Sequence, residues 1–206
     1  MSNFLAVDTS SASLTVAACR GGIKAVRHIP DCAMRHSVTL MDEIDAALEE
    51  AGLTPEDCDF FCAVTGPGSF TGIRIGVACI KGYATALSKR AFGVTAFEML
   101  SYNVNSDSDY FVCIDAGHGN YYACGYNKGG ECDVPPCYLS GERVASSGRP
   151  VYGYEDLPFE NYTKLSAKDC LLPAVNACRD REDGVRALYV KKSQAEEERE
   201  ARIKGK

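Results

Sequence analysis

The chain has 206 residues, 46% hydrophobic and 24% charged, a balance that supports a buried core and excludes a disordered or low-complexity protein. Its 28 acidic and 22 basic residues leave a net charge of −6, so no large positive field is present to hold a polyanion, and strong direct binding of nucleic acid is not expected. The opening MSNFLAVDTSS has neither a basic segment nor a small-residue cleavage site, and no apolar run is long enough to cross a bilayer, which predicts a cytoplasmic protein with no membrane attachment.

Phe4 to Val7, Leu14 to Cys19 and Ile23 to His28 are short runs of strand formers, the last two separated by a Gly21-Gly22 turn. From Ser37, the residues Met41, Ile44, Leu48 and Ala51 recur at helical spacing until Gly52, a residue suited to a helix C-cap. His36, just ahead of this helix, has no nearby nucleophile and carboxylate set, so it reads as a capping or interface residue, with capping preferred. Thr54-Pro55-Glu56-Asp57 places a capping residue before a proline at the first helical position, which predicts a short helical turn. A strand over Phe60 to Thr65 then runs into GPGSFTG and a helix over Ile73 to Ser88. Glycine inside a helix costs about 1 kcal/mol relative to alanine, so Gly76 and Gly82 predict tight packing of that helix against a neighbour. Ala91 to Val94 is a further strand, followed by a helix through Phe97 to Tyr102.

After a polar break at 103–109 the pattern restarts. Tyr110 to Ile114 ends in Asp115 as the first strand ends in Asp8; Tyr121 to Tyr126, a Lys128-Gly129-Gly130 turn and Cys132 to Leu139 follow. The echo suggests a duplicated lobe, with boundaries at 1–103 and 104–206 and the second copy truncated. Only one further helix, near Cys170 to Arg179, precedes the charged tail KKSQAEEEREARIKGK, in which Glu196 to Glu200 read as a solvated helical segment.

Eleven cysteines raise the question of a disulfide framework, but Cys19, Cys62, Cys79 and Cys113 fall inside apolar strand or helix patterns, where a reduced thiol acts as a small hydrophobe. There is no CxxC, and His28, His36 and His118 are not paired at ligand spacing; Cys132 with Cys137 is the best metal candidate, and no metal site is expected.

Two motifs have chemistry to offer. Asp8-Thr9-Ser10 puts a carboxylate and two hydroxyls at a strand end, which fits either phosphate contact or simple satisfaction of a turn, the turn being preferred when the tripeptide is taken alone. Gly66-Pro67-Gly68-Ser69-Phe70-Thr71-Gly72 joins a strand to a helix N-terminus, the setting of an anion site. It has no Walker lysine and does not match G-x-G-x-x-G; a connector whose glycines let helix and sheet approach closely fits it equally well.

The segments FLAVDTS, RHSVTLMDEID, AVTGPGSFTGIRIGVACIKGYA, GVTAFEML and ALYVKKSQAEEE, in that order, resemble the TsaB family across nearly the whole chain, with Gly66 to Lys81 the most specific stretch. The resemblance implies an α/β fold of the actin-like ATPase type (ASKHA), built from two ribonuclease-H-like lobes with the C-terminal lobe reduced. It also implies a non-catalytic partner of TsaD in transfer of threonylcarbamoyl to N6 of the adenosine beside the anticodon of tRNA, with TsaE acting through the complex, no cofactor, and tRNA met only indirectly. The catalytic relative TsaD carries a paired-histidine metal motif just after the equivalent of Gly93-Val94, where this chain has Thr95 to Leu100 without a histidine.

In that family the contact is made by the first two long helices, which here implies a partner surface among His36, Leu40, Met41, Ile44, Leu48, Ile73, Val77, Ala78 and Lys81; the same residues also suit packing on the protein's own sheet. Asp8, Thr9, Ser10, Gly66, Gly68, Ser69, Thr71 and Gly72 are then a vestigial phosphate loop. The family's second-lobe segment usually has basic residues after its aspartate and a glutamate before its tyrosine; Asp115-Ala116-Gly117-His118-Gly119-Asn120-Tyr121 departs from that, so no role of a basic pair carries over. The alternatives are a glycoprotease-like metallopeptidase and a weak nucleotide-binding regulator, and a homodimer is an alternative to the complex with TsaD.

Overall fold

The computed structural model describes residues 2–190; the charged tail, including Glu196 to Glu200, lies outside the described residues. The first half forms strands β1 (Phe4–Asp8), β2 (Leu14–Arg20) and β3 (Ile23–Ile29), helix α1 (His36–Ala51), a 3-10 turn at Pro55–Asp57, strand β4 (Phe60–Val64), helix α2 (Phe70–Ala86), strand β5 (Arg90–Val94) and helix α3 (Ala96–Ser101). Gly52 takes the left-handed conformation at φ 66° and closes α1, and Thr54 with Asp57 forms a capping box at the 3-10 turn. Helix α2 starts three residues earlier than its apolar period indicates, because Ser69 is its N-cap and its Oγ accepts the Gly72 N–H at 3.2 Å.

The second half contains β6 (Tyr110–Asp115), β7 (Asn120–Tyr126), β8 (Cys132–Ser140), α4 (Gly141–Ala145), β9 (Val151–Gly153), β10 (Tyr162–Lys164) and α5 (Ala167–Cys178). Helix α4 and the three-residue strands β9 and β10 are too short to leave a periodic signature in the sequence.

Each half carries a five-stranded sheet, ordered β3-β2-β1-β4-β5 and β8-β7-β6-β9-β10. The directions match as well: β1-β2-β3 and β6-β7-β8 are antiparallel, whereas β4 and β5, like β9 and β10, add in parallel. The echo between Asp8 and Asp115 thus has a counterpart in topology, the two residues closing equivalent strands β1 and β6.

Strand β1 is buried on both faces, which is why it reads as a continuous apolar run. Leu5 and Val7 face α1 and α2, packing with Leu40, Ile44, Leu48, Ile73 and Ile80. Phe4 and Ala6 face the other way, into a core shared by α3, α5 and the inner face of the second sheet, where Phe60, Phe92 and Leu171 meet Val112, Ile114 and Tyr126. The rings of Phe4 and Phe60 stack at 5.1 Å in that layer. A third cluster, with Phe111, Cys113, Ala123 and Val144, lies on the far face of the second sheet under α4.

Candidate functional site

The two motifs with chemical potential are folded against each other. Asp8 Oδ1 accepts the Ser10 N–H at 2.9 Å and the Ser10 hydroxyl at 2.6 Å. The Ser69 N–H donates to the Ser10 carbonyl at 2.6 Å, and the Thr9 hydroxyl donates to the Gly72 carbonyl at 2.7 Å. A Cβ on Gly68 would stand 2.1 Å from the Ser10 carbonyl oxygen, and one on Gly72 would stand 2.0 Å from that of Thr9. The glycines therefore serve close approach of loop and strand end, as the connector reading expects, and Gly66 leads into the segment through a cis peptide to Pro67.

Asp8, Thr9 and Ser10 are buried, and burial pushes the Asp8 carboxyl above its ordinary value, against the opposing pull of Ser10 and the neighbouring His36 and His28. The hydroxyls and N–H groups that a phosphate would need at Thr9, Ser10 and Ser69 are taken up by this internal network. Ser69 and Thr71 are on exposed residues at the start of α2, but the Ser69 Oγ is engaged as the cap acceptor of the Gly72 N–H. Asp115 repeats the Asp8 turn in exposed form, its Oδ1 accepting the Gly117 N–H at 2.8 Å.

Helices α1 and α2 divide their residues into two faces. Leu40, Ile44, Leu48, Ile73 and Val77, five of the residues that sequence alone offers to a partner, belong to the protein's own core, with Ile44 fully enclosed. His36 does not cap α1: Arg35 is the N-cap residue without a side-chain bond, and the buried His36 ring meets the Ser13 carbonyl through Nε2 at 3.2 Å. The imidazole reaches back to the β1-β2 turn because it occupies the first helical position, facing the sheet.

Met41, Ala78 and Lys81 are the three of that set left on the outside. Two residues at the start of α1 have an exposure harder to read from pattern: Met34, just before the helix, 98% exposed and held at φ 64°, and Val38, 70% exposed. Met41, 46% exposed, meets Cys79 across the groove between the helices, sulfur to sulfur at 3.9 Å. Gly76 packs as expected, its Cβ position 2.4 Å from Thr9 Oγ1, but a Cβ on Gly82 would meet no atom of the described residues within 4 Å. Among the described residues its expected neighbour is not found, and with Ala78 it forms a small-residue step on α2. At the start of α2, the guanidinium of Arg74 lies 3.7 Å over the Phe70 ring, which also meets Tyr189 at 5.1 Å; a contact between residues so far apart in sequence leaves no local signal.

The stretch after Gly93-Val94 has a structural occupation of its own. Thr95 and Glu98 form a capping box on α3, and Glu98 Oε1 binds Arg181 at 2.5 Å. Among the described residues no three His, Cys, Asp or Glu side chains converge as a metal set, Cys132 and Cys137 included. No helix among the described residues is long and apolar enough to cross a membrane.

The family model described as TsaD, tRNA N6-adenosine threonylcarbamoyltransferase, matches residues 12–161. The tRNA threonylcarbamoyladenosine biosynthesis protein TsaB of Bacillus subtilis is 33% identical over 119 residues, 57% of this chain and 52% of that protein. An uncharacterised protein of Mycobacterium tuberculosis is 30% identical over 163 residues, 74% of each chain. The alignment spans about half the length of the curated TsaB proteins of Bacillus subtilis, Escherichia coli and Haemophilus influenzae. Among solved structures, YeaZ from Pseudomonas aeruginosa superposes with a TM-score of 0.74 at 24% identity, over 92% of this chain and 100% of that one, which establishes a common fold.

Proposed function

Because the chain belongs to the TsaD family and groups within it with the TsaB proteins, we propose that it works in threonylcarbamoyladenosine formation on tRNA as a non-catalytic partner of a TsaD enzyme. The observation that carries the reading is the outer side of α1 and α2: Val38 and Met41 are exposed on α1, Met41 meets Cys79 on α2, and Ala78 and Gly82 leave an open step on that second helix. A glycine that costs helix stability and serves no contact among the described residues fits a helix approached closely from outside. The exposed apolar side chains of α1 supply what such an interface buries.

Two further features support a helper rather than a transferase. The segment that the resemblance sets opposite TsaD's metal histidines, Thr95 to Leu100, is spent here on the α3 capping box and the Glu98–Arg181 pair. The Asp8 turn and the glycine loop satisfy one another's polar groups, which fits a vestigial phosphate loop in an ASKHA-type protein built from two ribonuclease-H-like lobes, 1–103 and 104–206, the second including the charged tail. On this reading TsaE joins through the complex, and tRNA is met only indirectly, through the enzyme, consistent with a net charge of −6.

The test is to mix the purified chain with TsaD of the same organism and follow size exclusion. Co-elution at micromolar concentration is expected, together with adenosine modification only when both are present with TsaE. Separate elution of the two proteins overturns the proposal.

A further inference from the structure

The second sheet holds a chemical feature that the partner role does not use. Of the three cysteines on β7 and β8, Cys137 packs on the far face, with Cys113 and Ala123, and its thiol donates to the Ala123 carbonyl at 3.4 Å. Cys124 points through the sheet to the opposite face, into the core shared by the two halves. Cys132 shares that side: its sulfur is 3.7 Å from the Cys124 sulfur, and both thiols are directed at one acceptor, the Val134 carbonyl, at 3.5 and 3.4 Å.

Register explains the meeting. Tyr126 pairs with Cys132, and the irregularities around Gly125 displace the ladder so that Cys124, two residues before Tyr126 and on the same face, comes within reach of Cys132. The two residues differ in access, Cys132 being exposed and Cys124 buried. They line the same cleft of about 590 Å³, which Tyr102, Glu98 and Tyr126 also border.

We propose that Cys124 and Cys132 form an oxidisable dithiol, a modification site that takes a peroxide as its reactant and closes to a disulfide between β7 and β8. Cys132, the accessible sulfur, attacks one peroxide oxygen as its thiolate; the O–O bond breaks, hydroxide leaves, and Cys132 becomes a sulfenic acid. The Cys124 sulfur then attacks Cys132, the S–O bond breaks, and the hydroxyl departs as water with the Cys124 proton. Two thiols have lost two electrons, and one peroxide has become two waters. Burial pushes the Cys124 thiol up to about 12, which leaves the accessible Cys132 as the first nucleophile, while the 3.7 Å sulfur separation places Cys124 to close the ring. Closing the bond requires the sulfurs to approach from 3.7 Å to about 2.05 Å, a movement on the scale of side-chain rotation.

The experiment treats the reduced full chain with one equivalent of hydrogen peroxide, blocks the remaining thiols with maleimide under denaturing conditions, and digests with trypsin. Because Lys128 lies between the two cysteines, the disulfide joins the tryptic peptide 91–128 to 129–143. Maleimide-reactive thiols are expected to fall from eleven to nine, with the peptides linked in wild type and in Cys137→Ser but separate in Cys132→Ser. Cys124→Ser, with no second thiol to close the ring, is expected to leave a sulfenic acid at Cys132 that dimedone traps. A link through Cys137, a bond between two chains, or direct passage of Cys132 to the sulfinic acid in wild type overturns the proposal.

Discussion

Thr9 and Gly72 fix the distance between the first strand and the second helix: the Thr9 hydroxyl donates to the Gly72 carbonyl at 2.7 Å, while a Cβ on Gly72 would stand 2.0 Å from the Thr9 carbonyl oxygen. The atom that a side chain would meet first is backbone, in the turn that the Ser10 N–H closes on Asp8 Oδ1, so it cannot yield without disturbing the network around Asp8.

Gly72→Ala is therefore expected to destabilise the fold by about 1 to 3 kcal/mol, the usual range for forcing extra volume into a packed site. At this chain length each kcal/mol corresponds to roughly 2 to 4 °C of melting temperature. Gly82→Ala is the opposite case, since no atom of the described residues would lie within 4 Å of the new methyl. It is expected to raise stability by up to about 1 kcal/mol. Thermal melts of the two variants check both signs at once; a neutral Gly72→Ala would mean that the loop and strand end are not in the contact described.

The proposed partner surface makes a second prediction, with a built-in control. Met41→Asp and Ala78→Arg place charge on the outer face of α1 and α2 and are expected to weaken TsaD binding at least about tenfold, roughly 1.4 kcal/mol. As exposed positions, they are expected to change the chain's own stability by no more than about 0.5 kcal/mol. Ile44→Asp would also abolish binding, but by unfolding, because Ile44 is fully enclosed in the core. Affinity and melting temperature measured on the same samples separate the cases. Full affinity in both surface variants would remove this face from the interface.

Asp8 gives a pH prediction. Its folded-state pKa is raised above the ordinary 3.8, chiefly by burial, so the folded chain holds a proton where the unfolded chain has lost it. Stability from this group accordingly falls as pH rises from 3.8 through the folded value, and stays reduced above it. Asp8→Asn keeps an oxygen for the Ser10 N–H and hydroxyl but carries no charge. Urea unfolding across this range is expected to lose that part of the slope in Asp8→Asn, while Asp8→Ala loses stability at every pH by leaving the Ser10 donors unpaired.

What the sequence discloses and what it hides follow from the range of each interaction. The long elements are legible because Leu5 and Val7, or Leu40, Ile44 and Leu48, repeat at the period of a strand or a helix. The repeated topology shows through Asp8 and Asp115 because a strand end needs the same Asx turn twice. Which helix face is free does not show, because Met41 and Ile44 are both apolar and only the placement of the sheet distinguishes them. Nor does the meeting of Cys124 with Cys132, which depends on a register shift at Gly125, or that of Glu98 with Arg181, 83 residues apart.

That last pair supplies a further prediction with its own pH signature. Burial is the largest single influence on Glu98 and acts upward, yet the Arg181 guanidinium and the Thr95 N–H and hydroxyl together hold its pKa below the ordinary 4.5. A depressed carboxylate contributes stability that is fully present above the unfolded value and is lost as pH falls through the folded one. The pair ties α3 to the segment after α5, with both side chains less than a third exposed, so screening by water is partial. Glu98→Gln is expected to cost about 1 to 2 kcal/mol at neutral pH, the worth of exchanging a charge-assisted bond for a neutral one. The difference between wild type and variant should shrink once the pH drops below about 4.5, as Glu98 itself becomes neutral. Chemical denaturation at pH 7 and at stepwise lower pH measures that difference directly. A gap that stays constant through the acid range would mean that Glu98 stabilises α3 through its capping geometry and not through its charge on Arg181.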